Sequence, residues 1–146
     1  MRNLFKIIAL LVFVSSCDDH CVESNLIISN NSGKDIEINS YKESGIDGKM
    51  IFSKKIILTT NNKYEKTLKD CGNSAGKFNF GAFVEGDSIL IDYGDKIKGY
   101  SVKSKIYEAR NPYILDGNNK SNDFVYTLTL EDYANANSKL FEDSIS

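Results

Sequence analysis

From Val22 onward, apolar and polar residues alternate with a period of two. Clusters of Asn, Asp, Gly and Ser interrupt them at intervals of about 8 to 15 residues, the signature of an all-β chain. Leu26 and Ile28 share a face, Asn30-Asn31-Ser32-Gly33 breaks the run, and Ile36 and Ile38 resume it. A hairpin loop at Asn31 to Gly33 would set Ile28 opposite Ile36 and Leu26 opposite Ile38, keeping all four on one face. Met50 to Phe52 and Ile56 to Leu58 read as one long strand, in which the adjacent Lys54 and Lys55 mark a bulge or an exposed edge. Asn61-Asn62 turns the chain into a weaker strand with Tyr64, Lys66 and Leu68 on one face.

Phe78, Phe80, Ala82 and Val84 alternate as an aromatic-rich core strand, and Glu85-Gly86-Asp87 turns into Ile89, Ile91 and Tyr93. At Gly94-Asp95 the hydrophobic pattern favours a longer loop that opposes Ile91 to Ile97 over a tight turn that opposes it to Lys98. Residues 101–123 are the least regular. Phe124, Tyr126, Leu128 and Leu130 form a strong strand, followed by one or two helical turns over Glu131 to Asn137 with Tyr133 and Ala136 on one side. Glu131 and Asp132 would sit in the first turn, where negative charge meets the positive end of the helix dipole. The expectation is a single antiparallel β-sandwich or partly open barrel of roughly seven to nine strands, with a short C-terminal helical turn.

The first seventeen residues follow a different rule. Arg2 and Lys6 precede the apolar run Ile7 to Val14, which ends at Ser15, Ser16 and Cys17. Eight apolar residues are too few for a membrane-spanning helix, which needs about 20; the basic flank and small residues fit a removable export signal. Val14-Ser15-Ser16-Cys17 resembles the lipobox of bacterial lipoproteins. The resemblance implies that residues 1–16 are removed and that Cys17 becomes an acylated N-terminus. Residues 17–21 then form a lipidated tether, 22–137 the β domain and 138–146 a flexible tail. Stable anchoring needs two or more acyl chains, at about 0.8 kcal/mol per buried methylene. The lipid alone is expected to supply the membrane contact. The anchor is assigned to the outer membrane, with the periplasmic and surface-exposed faces both open.

Composition narrows the partners. The full chain has 18 Lys and Arg against 20 Asp and Glu; removal of Arg2 and Lys6 leaves 18 − 2 = 16 positive charges and a net charge of 16 − 20 = −4. That charge, spread without a basic stripe, argues against nucleic acid and anionic lipid head groups as partners. Once Cys17 carries lipid, Cys21 and Cys71 remain as the disulfide expected in an oxidising compartment.

Catalytic candidates are few. His20 is the only histidine and lies in the tether, so no Ser-His-Asp, Cys-His or zinc site can be assembled within the domain. Asp87, Asp92 and Asp95 could form a carboxylate pair or gather around calcium, yet their Gly neighbours explain them as hairpin-turn residues. The expectation is therefore no enzyme, no metal and no cofactor. Tyr107, Arg110 and Tyr113 form the candidate ligand face, a trio able to clamp a sugar ring or a partner loop. The favoured alternative folds both tyrosines onto the sheet and pairs Arg110 with Glu108 or a tail carboxylate.

The lipobox, Asp87-Ser88 before Ile89 and Ile91, Arg110-Asn111, and the run Phe124 to Ala134 together resemble small Bacteroidota-type lipoproteins with an all-β domain. That group has no established activity to carry over. The reading is a noncatalytic envelope protein that binds another macromolecule, protein or glycan. Two alternatives are an immunity lipoprotein against a periplasm-directed toxin and a carbohydrate-binding module or weak glycosidase.

Overall fold

The computed structural model describes residues 21–72, 76, 78–104, 108, 110–114 and 123–139. The signal segment, Cys17, residues 18–20, Tyr107 and residues 140–146 lie outside them. The described chain forms an all-β sandwich. Its strands are β1 (Cys21–Asn31), β2 (Ile36–Glu43), β3 (Met50–Leu58), β4 (Lys63–Cys71), β5 (Ser88–Asp92), β6 (Lys96–Ser101), β7 (Asp123–Thr129) and β8 (Asn137–Ser138). Two short helices, α1 (Phe80–Val84) and α2 (Leu130–Ala134), and a 3₁₀ turn at Pro112–Ile114 complete the described elements. The sheets have the orders β4-β1-β7 and β3-β2-β5-β6-β8.

The alternation of β1 and β2 buries Leu26, Ile28, Ile36 and Ile38 as expected. Their expected hairpin, however, does not form: β1 pairs with β4 and β7, while β2 pairs with β3 and β5. Residues 32–35 instead carry the chain from one sheet to the other, so the four side chains meet across the core and not side by side. Asn30 provides the local reason. Its buried amide donates to the carbonyls of Lys34 (2.8 Å) and Leu58 (3.0 Å), and its side-chain oxygen accepts from the Ser32 hydroxyl (2.6 Å). At the matching bend between β3 and β4, the Asn61 N–H donates to Asn30 O at 2.8 Å and Asn61 takes a positive φ of 64°. Strands β1 to β4 are thus one long hairpin folded over at its middle. The cover of each half is the other half.

The Cys21–Cys71 disulfide closes this folded hairpin at its base, joining directly paired positions of β1 and β4. β7 lies parallel to β1, an exception to the antiparallel expectation, and buries Phe124, Tyr126 and Leu128. Leu130, expected to continue that strand, is exposed because the chain has already entered α2.

Phe80 to Val84 is helical and not the expected core strand. Over five residues, i, i+2, i+4 alternation and the helical i, i+3, i+4 pattern overlap, and the buried set is Phe80, Phe83 and Val84. Asn79 caps the helix by accepting from Ala82 N–H at 2.8 Å, and Glu85 ends it in the left-handed region at φ 62°. Phe83 packs on Phe124 and Phe80 on Tyr113, with ring centroids 5.5 and 5.1 Å apart. Gly86 follows where only a hydrogen fits, since a Cβ there would sit 2.7 Å from Tyr41 O.

The turn between β5 and β6 is the tight one. Tyr93 N–H donates to Lys96 O at 2.8 Å, Gly94 takes φ +91°, and Ile91 opposes Lys98. The expected longer loop assumed that Ile91 and Ile97 share a face. Ile97 opposes Asp92 and Asn137 instead and is buried outside the main core cluster, beside β8. The tail expected from 138 onward therefore begins as ordered structure: Ser138 pairs with Lys96, and Lys139 binds Asp92 at 2.8 Å.

Candidate functional site

The five-stranded sheet has an outer face that the core does not use, and β3 presents an unusual set of side chains on it. Ile56 and Leu58 point inward, as does Ser40 on the paired strand, which faces Lys54. Strict alternation would turn Phe52 inward too. Between Ser40 and Tyr41 the register slips, so that Tyr41 opposes Phe52 and Ser53 becomes the extra residue of a β-bulge. The bulge re-aims Phe52 and Met50 from the core side to the outer face. Phe52 is 55 % exposed and Met50 48 %, and Phe52 meets Tyr41 edge-on at 6.0 Å. The lysine pair thus marks both features expected of it: the bulge adjoins Lys54, and β3 is the sheet's edge.

Across β2, β5 and β6 the outward row continues through Tyr41, Ser88 and Ser101, and through Leu90 and Gly99. Gly99 has no side chain to stand on the sheet, which opens a trough of about 390 Å³ walled by Tyr41, Met50 and Leu90. A second depression of about 410 Å³ adjoins it, sharing Met50, Ser88 and Ser101 and reaching Glu43, Asp87 and Lys103 at the sheet's end. Lys103 pairs with Glu43 at 2.6 Å there. The trough is apolar with a hydroxyl floor and a charged rim at one end, a surface suited to taking apolar or aromatic side chains of a partner.

The acids weighed for catalysis are committed elsewhere. Asp87 accepts from Glu43 N–H at 3.2 Å, Asp92 binds Lys139 and the Gly94 N–H, and Asp95 accepts from the Tyr133 hydroxyl at 2.7 Å. All three serve turns or strand ends. Among the described residues, no group of three His, Cys, Asp or Glu side chains is arranged to hold a metal ion.

Of the Tyr107, Arg110 and Tyr113 trio, two members are described, and they do not form a shared face. Tyr113 is 1 % exposed, lies edge-on to Phe80 and donates its hydroxyl to Gly86 O at 3.0 Å. Arg110 grips Asp132 with both edges of its fork, Nε to Oδ1 at 2.9 Å and Nη2 to Oδ2 at 2.6 Å, and donates to Thr127 O. Among the described residues its carboxylate partner is Asp132 and not Glu108, which lies by Lys98; the tail carboxylates fall outside the described residues. Asp132 is also the third residue of α2, where it closes a capping box with Thr129. Burial pushes the Asp132 carboxyl up, but hydrogen bonds from Arg110 and Thr129 outweigh this and hold it below its ordinary value. The Arg110 guanidinium also lies 5.6 Å over the Tyr126 ring, whose hydroxyl returns a bond to Arg110 O. This cluster latches the irregular segment to α2.

No family model, curated protein or solved structure matches the chain. The trough was not singled out from sequence. Its one legible sign was the lysine pair beside the bulge; the row that completes it comes from three strands whose pairing the pattern does not specify.

Proposed function

We propose that this chain is a noncatalytic, lipid-anchored envelope protein that binds another macromolecule, a protein whose apolar side chains enter the trough on the outer face of the five-stranded sheet. The observation that carries the reading is the β-bulge at Ser53, which spends Phe52 and Met50 on solvent when simple alternation would have buried them. Bulges of this kind concentrate where a side chain is re-aimed for use. The same bulge and the lysines beside it blunt the β3 edge against strand pairing, which favours the trough over the edge as the docking surface. The lipobox supports the anchor, and an oxidised Cys21–Cys71 pair suits an envelope compartment.

Gly99 provides the test. A Cβ there would make ordinary van der Waals contact with Leu90 Cδ1 at 3.9 Å and Ile89 O at 4.0 Å, and its φ lies outside the left-handed region. Gly99→Tyr should fill the trough while leaving the thermal midpoint intact. A partner cross-linked in envelopes by the native chain and lost with Gly99→Tyr supports the reading; capture of the same partner at undiminished yield refutes it. The immunity reading is favoured by the disulfide-stapled, acidic domain. It requires that deletion sensitise cells to toxin from their sisters.

A further inference from the structure

We infer that the loop between β2 and β3 rests in the lipid bilayer, with Ile46 as its inserted apex, so that the domain contacts the membrane beyond its acyl chains. The inference rests on lipidation at Cys17. Contacts at three levels show that this loop and the Cys21 end of β1 share one end of the sandwich. At the far bend, Asn30 Nδ2 donates to Leu58 O at 3.0 Å. Midway, Lys66 (opposite Leu26) and Lys54 (opposite Ser40) both bind Glu85 Oε1, at 3.0 and 2.8 Å. Near the base, Phe78 N–H donates to Ser24 Oγ at 3.4 Å, and its neighbour Asn79 lines a surface depression together with Lys42. β2 therefore ends at the level where β1 begins. Cys21 is four residues from Cys17, a span of at most about 14 Å in extended chain.

The loop is built to hold its apex outward. Ser44 N–H donates to Lys49 O at 2.7 Å, Gly48 N–H to Ser44 O at 3.1 Å, and Ile46 N–H to Ser44 Oγ at 3.3 Å. Ile46 is 99 % exposed, and Ile51 and Val102 are exposed at the same end. A lone exposed isoleucine is ordinary, but an apolar group on the face turned to a lipid anchor has an evident cover. The charges around it balance: Lys42, Lys49 and Lys103 against Glu43, Asp47 and Asp87. Contact is thus with the acyl boundary of a zwitterionic bilayer and depends little on salt. The trough then opens just above the membrane surface, where a membrane-bound partner would meet it.

The chain contains no tryptophan, so a single reporter can be introduced. Leu130 provides the control. It is 65 % exposed and lies beside Gly33 at the opposite end, its Cδ1 4.0 Å from the Cβ position there. The mature lipoprotein carrying Ile46→Trp, reconstituted in phosphatidylcholine vesicles with brominated acyl chains, should show blue-shifted emission. Its quenching should be several-fold stronger than that of Leu130→Trp, and equal at low and high salt. Equal quenching of the two variants in fatty-acid-labelled protein overturns the inference and leaves the anchor standing. Failure of Cys17 to take up fatty acid overturns both.

Discussion

Arg110 to Ala removes one side of the best-connected ion pair among the described residues, and its cost follows from the exposure of the two partners. The Asp132 side chain is 4 % exposed and that of Arg110 53 %. Breaking a fully buried pair costs about 3–5 kcal/mol, and an exposed one is worth about 0–1 kcal/mol. After the substitution Asp132 keeps two bonds from Thr129, at 2.7 and 2.8 Å, so its carboxylate is not stranded. The half-exposed arginine and the surviving cap put the loss at about 2 kcal/mol, or roughly 6–10 °C in Tm for a domain of this size. The pH dependence has a definite sign. The folded carboxyl lies below its ordinary 3.8, so its stabilisation is fully present above that value and is lost as pH falls through the folded pKa. The gap between native and Arg110→Ala midpoints should be constant from pH 5 to 8 and narrow below about pH 4. Thermal circular dichroism at pH 7 and pH 3 measures both. A midpoint within about 1 °C of native at pH 7 would show that the latch holds nothing and would return Arg110 to the role of ligand clamp.

Two further outcomes test the fold. Cys21–Cys71 closes a sequence separation of 50 residues, for which the loop-entropy model gives about 4 kcal/mol; the urea midpoint should fall sharply in reductant, and an unchanged midpoint with both thiols alkylated would contradict that contribution. The Ser40 hydroxyl is buried without a hydrogen-bond partner among the described residues, so Ser40→Ala should raise stability by about 1 kcal/mol, and a lower Tm would reveal a partner for it.

The proposed envelope address and the trough bear on each other. Cys21, the β2–β3 loop and the near end of the trough share one end of the sandwich, so a domain anchored through Cys17 would offer its apolar surface close to the bilayer. A partner with its own membrane attachment would find that surface without a three-dimensional search.

What was legible in the chain is direction: at Leu26, Ile28, Ile36, Ile38, Phe124, Tyr126 and Leu128 the alternation named the buried side chains correctly. Side-chain direction in a strand is a local property, set residue by residue. The place of Glu131 and Asp132 in the first turn of a helix and the Cys21–Cys71 pairing were likewise readable, the first from the helix dipole and the second by counting what the expected lipidation leaves. Partnership was not legible. Identical alternation serves two strands lying side by side or facing each other, and the buried amide of Asn30 together with the need to cover both faces chose the second. Ile97 misled the register because its cover is β8, forty residues along the chain. Arg110 met Asp132 across a segment with no periodicity. The trough depended on all of this at once, since Met50, Tyr41, Leu90 and Gly99 come to line it only after β3, β2, β5 and β6 have been laid side by side.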